Sequence, residues 1–138
     1  MSVLPAEVRA VSLWEPWASY MRLGLKTIET RSWATNHRGP LLICAARRKM
    51  GWKENGLLRD MLVAPGVHYG MAVCLVEVID CVRVETIRDR LSQEELVEYA
   101  LGDYSDGRWA WLTRNTQTFD PFPVKGKQGM FTVRQGIV

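Results

Sequence analysis

Residues 26–33, K-T-I-E-T-R-S-W, bring two basic side chains, a carboxylate and an indole together in one short segment. Lys26 and Arg31 can pair with phosphate groups, and the carboxylate of Glu29 can accept hydrogen bonds from the amino group of a nucleobase. The indole of Trp33 offers a face for base stacking, worth about 1–3 kcal/mol per base. This chemistry suits nucleic-acid binding; an edge strand with solvated charges is the alternative interpretation.

The same segment alternates with period two, which predicts a strand. Thr27, Glu29, Arg31 and Trp33 fall on one face, and the even-numbered residues 28–32 fall on the other. Neither face is an apolar stripe. We therefore expect this strand at a rim or a cleft.

If the chain is an enzyme, its catalytic residues are expected to be Lys26 and Glu29. A lysine desolvated beside apolar rings and close to a carboxylate can act as a general base. The sequence contains no G-x-x-x-x-G-K-[ST], G-x-G-x-x-G or G-x-S-x-G motif, so nucleotide-phosphate loops, dinucleotide sites and a serine nucleophile elbow are not indicated. No C-x-x-C pair is present and there are two histidines, so neither a metal site nor a cofactor is expected.

Two further groups of residues could contact a nucleic acid. In residues 102–111, Tyr104 and Arg108 are expected at the surface, whereas Trp109 and Trp111 suit the core of a small barrel better than a stacking platform. Basic side chains also recur in the predicted loops, where they could converge or remain scattered and solvated. These are His37-Arg38, Arg47, Arg48 and Lys49, Lys53, and the K-G-K at 125–127 that begins with Lys125.

The bulk composition favours one folded domain over residues 1–138. Of 138 residues, 47% are hydrophobic, and the formal net charge is +3, which permits a phosphate-bearing partner without identifying one. The longest apolar run, 71–76, is too short for a membrane span, and the N-terminus lacks the apolar segment of a signal peptide. We expect a cytoplasmic location, or a nuclear one in a eukaryote, with three unpaired cysteines and no membrane partner; the oligomeric state is not indicated.

The order of elements predicts an α+β fold that is mainly β. A strand at 7–13 precedes a short helix bounded by Pro16 and Gly24, and later strands are predicted at 38–46, 68–85, 107–113 and 129–135. The segment 47–63 is weakly helical. A further helix is predicted from a capping box at Ser92 and Glu95, a hydrophobic staple of Leu91 with Leu96, and a stop at Gly102. The absence of strand–helix alternation favours a small mixed or antiparallel barrel with helices packed outside it.

Several segments resemble the ASCH domain family (activating signal cointegrator homology) of the PUA-like superfamily. The matching segments cover nearly the whole chain: P-W-A at 16–18, G-x-K-T-x-E-x-R-S-W at 24–33, R-G-P-L-L-I at 38–43, the strand 70–80, and residues 122–126. The resemblance implies a small PUA-like β-barrel with helices around it. It also implies a cleft lined by Lys26, Thr27, Glu29 and Arg31, with Trp17 and Lys125 nearby.

The resemblance implies binding of RNA or DNA. Together with the mixed-charge strand and the basic loops, it makes nucleic-acid binding the leading hypothesis, with RNA expected more than DNA and single strands more than duplex. The expected contacts are Trp17, Lys26, Thr27, Glu29, Arg31, Arg47, Arg48, Tyr104, Arg108 and Lys125. One branch of the family hydrolyses N-acetylated cytidine with a lysine, a threonine three residues later and a distant glutamate. Lys26 matches that lysine, but Glu29 stands where the threonine is required, so an amidohydrolase is the second hypothesis. A protein-interaction module in transcription coactivation is the third.

Overall fold

The computed structural model describes residues 4–48 and 66–135. Six strands form one sheet in the order β2-β5-β4-β3-β1-β6, and the sheet curls into a half-barrel. The strands are β1 (Glu7–Leu13), β2 (Ile28–Arg31), β3 (Gly39–Ala45), β4 (Met71–Arg83), β5 (Trp109–Pro123) and β6 (Met130–Arg134). The helices are α1 (Trp17–Arg22), a 3₁₀ turn (Val84–Thr86), α2 (Arg88–Glu94) and α3 (Leu96–Ala100). This is the mainly β, PUA-like fold that the sequence predicts.

The sheet is mixed, because β1 pairs with β3 in parallel and the other neighbours pair antiparallel. The long β4–β5 ladder shifts register between Ala72 and Cys74, between Leu75 and Glu77, and again near Val78. Such bulges bend a strand and increase its twist. They explain how a ladder of this length curls towards a barrel, and why β5 continues to Pro123 through a segment that the sequence analysis placed between two strands.

Both faces of the central strands are buried. Leu41 and Ile43 of β3 pack in the cluster that contains Trp111, while Leu42 and Cys44 pack on the other face against Phe131. Burial on both faces accounts for the continuous apolar run of β3. Trp111 is fully buried, so the prediction that this tryptophan belongs to the core is confirmed.

Helix α1 closes one face of the sheet and ends as the sequence predicts. Gly24 has φ +77°, and its N–H donates to the carbonyl oxygen of Met21 at 3.1 Å. A left-handed residue at this position normally has to be glycine. Arg22 anchors the helix by donating to the carbonyl oxygens of Val73 and Phe119 at 2.6 and 2.7 Å.

The capping box predicted at Ser92 and Glu95 is wrong. Helix α2 already begins at Arg88, and Ser92 lies within it, with its hydroxyl donating to the carbonyl oxygen of Asp89. The staple is also absent, because Leu91 is fully buried whereas Leu96 is 66% exposed. A break at Glu95 separates α2 from α3. The helix predicted weakly within 47–63 falls almost wholly outside the described residues.

Candidate functional site

A cleft of about 340 Å³ opens where β1 and α1 face β2 and the turn after α3. We call it the central cleft. Five of the predicted site residues line it: Trp17, Lys26, Glu29, Arg31 and Arg108. Among the described strands, β2 is an edge strand that pairs with β5 alone. Lys26 and Arg108 donate to carbonyl oxygens of this strand, and Glu29, Thr30 and Arg31 line the cleft.

Lys26 is buried despite its charge, with 1% of its surface exposed. Its Nζ donates to the carbonyl oxygen of Leu101 at 3.0 Å and to that of Ile28. Burial lowers the pKa of Lys26 below its ordinary value of 10.5, and the carboxylates of Glu29 and Glu98 partly oppose this shift. An ammonium group has three protons to donate, so one proton is left for the cleft.

Glu29 and Arg31 form an ion pair on the cleft wall. The Nε of Arg31 lies 2.9 Å from Oε2 of Glu29, and its Nη2 donates to the carbonyl oxygen of Ser12 at 2.7 Å. Both groups are thus held by contacts on two strands, β1 and β2. Within the described residues, Oε1 of Glu29 makes no hydrogen bond.

Thr27 does not line the cleft, although the family resemblance implies that it does. Its N–H and hydroxyl both donate to Oε1 of Glu98, at 2.7 and 2.8 Å, and the N–H of Ile28 donates to Oε2. Glu98 therefore ties α3 to the first residues of β2, next to Lys26. Sequence reasoning missed Glu98, since nothing in its helix distinguishes it from Glu94 or Glu95.

The two residues predicted from segment 102–111 have different environments. Arg108 lies at the cleft, where its Nη2 donates to the carbonyl oxygen of Thr30 at 2.9 Å and its Nε lies 3.5 Å from Asp103. Tyr104 does not line this cleft, and the prediction that it lies at the surface is wrong, because it is 6% exposed. It packs with Ile28 and Leu91, and burial raises the pKa of its phenol. Of the two, Arg108 alone is placed to touch a ligand in the cleft.

A second depression of about 660 Å³ adjoins the central cleft. We call it the basic groove. Its basic lining residues are Arg31, Arg47, Arg48, Lys125 and Lys127. The loops that carry Arg47, Arg48 and Lys125 therefore do converge. Arg38 does not join them, because it faces Asp80 at 3.6 Å, and Lys53 lies outside the described residues.

The indoles of Trp14 and Trp33 also line the basic groove. The guanidinium of Arg48 lies 5.4 Å from the ring centroid of Trp14. Trp33 meets the buried Trp111 edge-on, with 4.8 Å between ring centroids. Sequence analysis identified Trp33 as a candidate for base stacking, and the structure places Trp14 in the same groove.

Cys44, Cys74 and Cys81 are all unpaired. Burial raises the pKa of the Cys44 and Cys74 thiols to about 12. No group of three or more His, Cys, Asp or Glu side chains suited to a metal occurs within residues 4–48 and 66–135. In those ranges no helix is long and apolar enough to cross a bilayer.

Comparison with known proteins identifies the family. The model of the ASCH domain matches residues 11–123, which include the end of β1 and all of α1, β2, β3, β4 and β5. The chain belongs to the ASCH domain family. Its central cleft therefore lies among the segments on which the family is recognised. The predicted single domain, 1–138, extends beyond that match at both ends.

Among curated proteins, this ASCH chain is similar to activating signal cointegrator 1 from Homo sapiens and from Mus musculus. The identity is 30% in each case, over 129 and 128 residues, which is 84% of this chain and 20% of each relative. The chain thus spans about a fifth of the length of these relatives.

Among solved structures, the chain resembles ASCH from Zymomonas mobilis, with a TM-score of 0.59 and 16% identity over 92% of this chain and 87% of that one. A mutant form of the same protein gives a TM-score of 0.58 and 17% identity, with 92% and 90% covered. At this level of identity the similarity establishes the fold alone.

Proposed function

We propose that this ASCH domain binds single-stranded nucleic acid, RNA in preference to DNA, with one unpaired nucleotide seated in the central cleft. The observation that carries the proposal is the combination of Lys26, Glu29, Arg31 and Arg108 around a cleft walled by Trp17. Its volume, about 340 Å³, lies in the range of small-ligand pockets, about 300–1,000 Å³. The preference for RNA rests on the family, which is associated with RNA binding.

Each cleft side chain has a distinct task in this proposal. The ammonium of Lys26 donates its remaining proton to a base carbonyl, and the unoccupied Oε1 of Glu29 accepts from a base N–H. Arg31 uses its Nε and one Nη2 proton within the protein. Because a guanidinium has five N–H donors, Arg31 retains others for a phosphate oxygen. The half-buried indole of Trp17 supplies apolar contact to the ring.

Fluorescence anisotropy with labelled 12-nucleotide single-stranded RNA, single-stranded DNA and duplex tests the proposal. The matched variants are Glu29→Gln, which keeps the shape of the side chain, and Lys26→Met, which removes the ammonium. We expect the Kd for single strands to rise about tenfold or more in each, the loss of about one charge-assisted hydrogen bond.

The control is Arg90→Ala, because Arg90 pairs with Glu95 on α2 and lines neither depression. Its binding should equal that of the wild-type chain. Millimolar or absent binding of the wild type to all three ligands would refute the proposal. So would Glu29→Gln and Lys26→Met variants that bind single strands as tightly as the wild type does, provided that thermal melting shows them folded.

Hydrolysis of an acylated nucleoside is the second candidate function. The observation that favours it is the position of the buried Lys26 at the cleft, where burial lowers its pKa, since a desolvated lysine beside a carboxylate can serve as a general base. Against it, the Glu29 carboxylate is paired with Arg31. Water would attack the acetamide carbonyl and release acetate and the free amine. Incubation with N4-acetylcytidine and detection of acetate tests it; turnover that is lost in Lys26→Met supports hydrolysis, and no acetate at high protein concentration excludes it.

A further inference from the structure

We infer that the basic groove is a second subsite for the same strand, which holds the phosphates next to the nucleotide in the central cleft and stacks a neighbouring base on an indole. This inference rests on the proposed function. The ligand it implies is a single-stranded oligonucleotide, not a free nucleotide or nucleoside.

The two depressions are continuous. Ser12, Trp14 and Arg31 line both of them. Arg31 stands at the junction, held by Glu29 and by the carbonyl oxygen of Ser12. A strand that leaves the central cleft therefore passes a fixed guanidinium before it reaches the groove.

Four basic side chains of the groove have no carboxylate partner among the described residues. Elsewhere among the described residues, four exposed arginines have a carboxylate within 4 Å: Arg38, Arg90, Arg114 and Arg134 face Asp80, Glu95, Glu77 and Glu7. Two others have different partners, since Arg9 donates to Thr132 and Arg83 lies over the ring of Trp109. In the same part of the chain, no ion pair involves Arg47, Arg48, Lys125 or Lys127, and the described lining of the groove contains no carboxylate. Four cations without a carboxylate partner along one depression, next to the ion-paired Arg31, favour a chain of phosphates.

A close approach places the backbone of two of these lysines beside β1. A Cβ added to Gly126 would lie 2.7 Å from the Oγ of Ser12, so the loop rests directly on β1. Lys125 and Lys127 flank this contact and line the groove on either side of it. Glycine at this position therefore holds both lysines close to the junction with the central cleft.

The two tryptophans distinguish a nucleic acid from an acidic peptide. Trp14 and Trp33 remain 37% and 36% exposed, whereas large aromatic side chains are usually well buried. Trp33 is held edge-on by the buried Trp111, so its orientation is set before a ligand arrives. Flat faces beside phosphate-binding cations match the stacking platforms of proteins that bind single strands.

Binding as a function of strand length tests the inference. Wild-type protein is titrated with a labelled mononucleotide, a tetranucleotide and a dodecamer of the same RNA sequence at several salt concentrations. We expect affinity to rise steeply from one to about four nucleotides, the short end of known site sizes. Equal affinity for all three lengths would overturn the second subsite but leave the proposed function intact.

The double variant Lys125→Ala/Lys127→Ala tests the phosphate contacts. The log–log salt slope for the dodecamer should become shallower by about 1.4, from about 0.7 for each of two contacts, while binding of the mononucleotide is unchanged. Arg90→Ala/Arg114→Ala is the matched control, as it removes the same charge from residues that line none of the depressions described. An equal change of slope in the control would mean nonspecific charge attraction and would overturn the inference.

Trp14→Ala and Trp14→Phe test the stacking. The alanine variant should raise the Kd for the dodecamer on the order of 5- to 150-fold. The phenylalanine variant should recover most of that lost affinity. No effect of either variant, together with equally tight binding of a poly-glutamate peptide, would show that the groove takes acidic peptides instead. If the wild type binds none of the RNA ligands, the proposed function and this inference fall together.

Discussion

At the scale of the residue, two glutamates close to Lys26 have opposite uses. Glu29 lines the cleft, and its Oε1 has no hydrogen-bond partner among residues 4–48 and 66–135, whereas both carboxylate oxygens of Glu98 accept hydrogen bonds from Thr27 and Ile28. Both are almost fully buried, so burial alone does not separate them. Their hydrogen-bond partners distinguish them. Glu98 holds the backbone at the start of β2, and Glu29 is available to a ligand.

Glu98→Gln and Glu29→Gln should therefore separate stability from binding. An amide has one oxygen to accept hydrogen bonds and no charge, so Glu98→Gln should lower the free energy of unfolding by about 1–3 kcal/mol. Glu29→Gln keeps an oxygen that can accept from Arg31, so it should change the free energy of unfolding by less than about 1 kcal/mol. Urea denaturation gives both values. A larger loss of stability in Glu29→Gln than in Glu98→Gln would contradict these roles.

Lys26 predicts a pH dependence of stability. Burial places its pKa below 10.5 in the folded chain. Between that lowered pKa and 10.5 the unfolded chain binds more protons, so stability rises with pH across the window and the gain is complete above 10.5. Lys26→Met lacks this contribution. Urea denaturation of both proteins from pH 7 to 10.5 gives their free energies of unfolding. The wild-type value should rise relative to that of the variant as pH rises, and a constant difference would contradict the lowered pKa.

At the scale of the element, the turn after α3 forms the wall of the central cleft opposite β2, and a small hydrophobic cluster holds α2 in place. Leu91 packs with Ile28 of β2, Val84, Tyr104 and Ala110. The cluster thus joins α2 to the strand that carries Glu29 and Arg31. The positions of these cleft side chains depend on packing at a helix that contributes no residue to the cleft lining described.

Helix α2 offers a direct test of where it begins. Ser92 is inside the helix, so Ser92→Ala should change the free energy of unfolding by less than about 0.5 kcal/mol. If Ser92 were the N-cap, the same substitution would lower the free energy of unfolding by about 0.5–2 kcal/mol. Chemical denaturation distinguishes the two, and a loss above 1 kcal/mol would restore the capping box.

The packing of the same helix predicts a contrast between two leucines. Leu91→Ala should lower the free energy of unfolding by about 2–5 kcal/mol, because the side chain is fully buried. Leu96→Ala, at the exposed position of the rejected staple, should stay within about 0.5 kcal/mol. Similar losses in both variants would mean that Leu96 is packed after all.

At the scale of the whole molecule, a sheet buried on both faces protects two of the three thiols. Cys44 and Cys74 lie on adjacent strands with less than 3% exposed, and burial raises the pKa of each to about 12. Cys81, at intermediate exposure, packs at the edge of the core. Thiol reactivity therefore reports on the integrity of the sheet.

Alkylation with iodoacetamide at pH 8 should label Cys81 alone in the folded protein. At that pH the thiols with a pKa of about 12 are protonated, and the thiolate is the reactive form. All three should be labelled in denaturant, as read by peptide mass spectrometry. Rapid labelling of Cys44 or Cys74 without denaturant would indicate that the sheet opens.

Much of the fold follows from local patterns, as do several residues of the candidate site. The period-two pattern of residues 27–33 predicts a strand with one polar face, and the apolar run of β3 predicts a buried strand, because alternation is a local property of the backbone. Lys26, Glu29 and Arg31 could be identified since their chemistry is unusual within one segment. The helix boundary at Arg88 could not, because the packing of Leu91 outweighed the weaker preference of Ser92 for a cap.

The sequence by itself determined the family, the mainly β architecture and the edge strand that carries the candidate site. Tertiary structure alone decided which side chains meet: Glu98 reaches Thr27 across 71 positions, Tyr104 packs inside, and Arg47, Arg48 and Lys125 converge beside Trp14. The physical reason is that periodicity encodes the face on which a residue lies. Contacts between distant segments depend on the sheet order and the bulges, which the whole chain sets through packing.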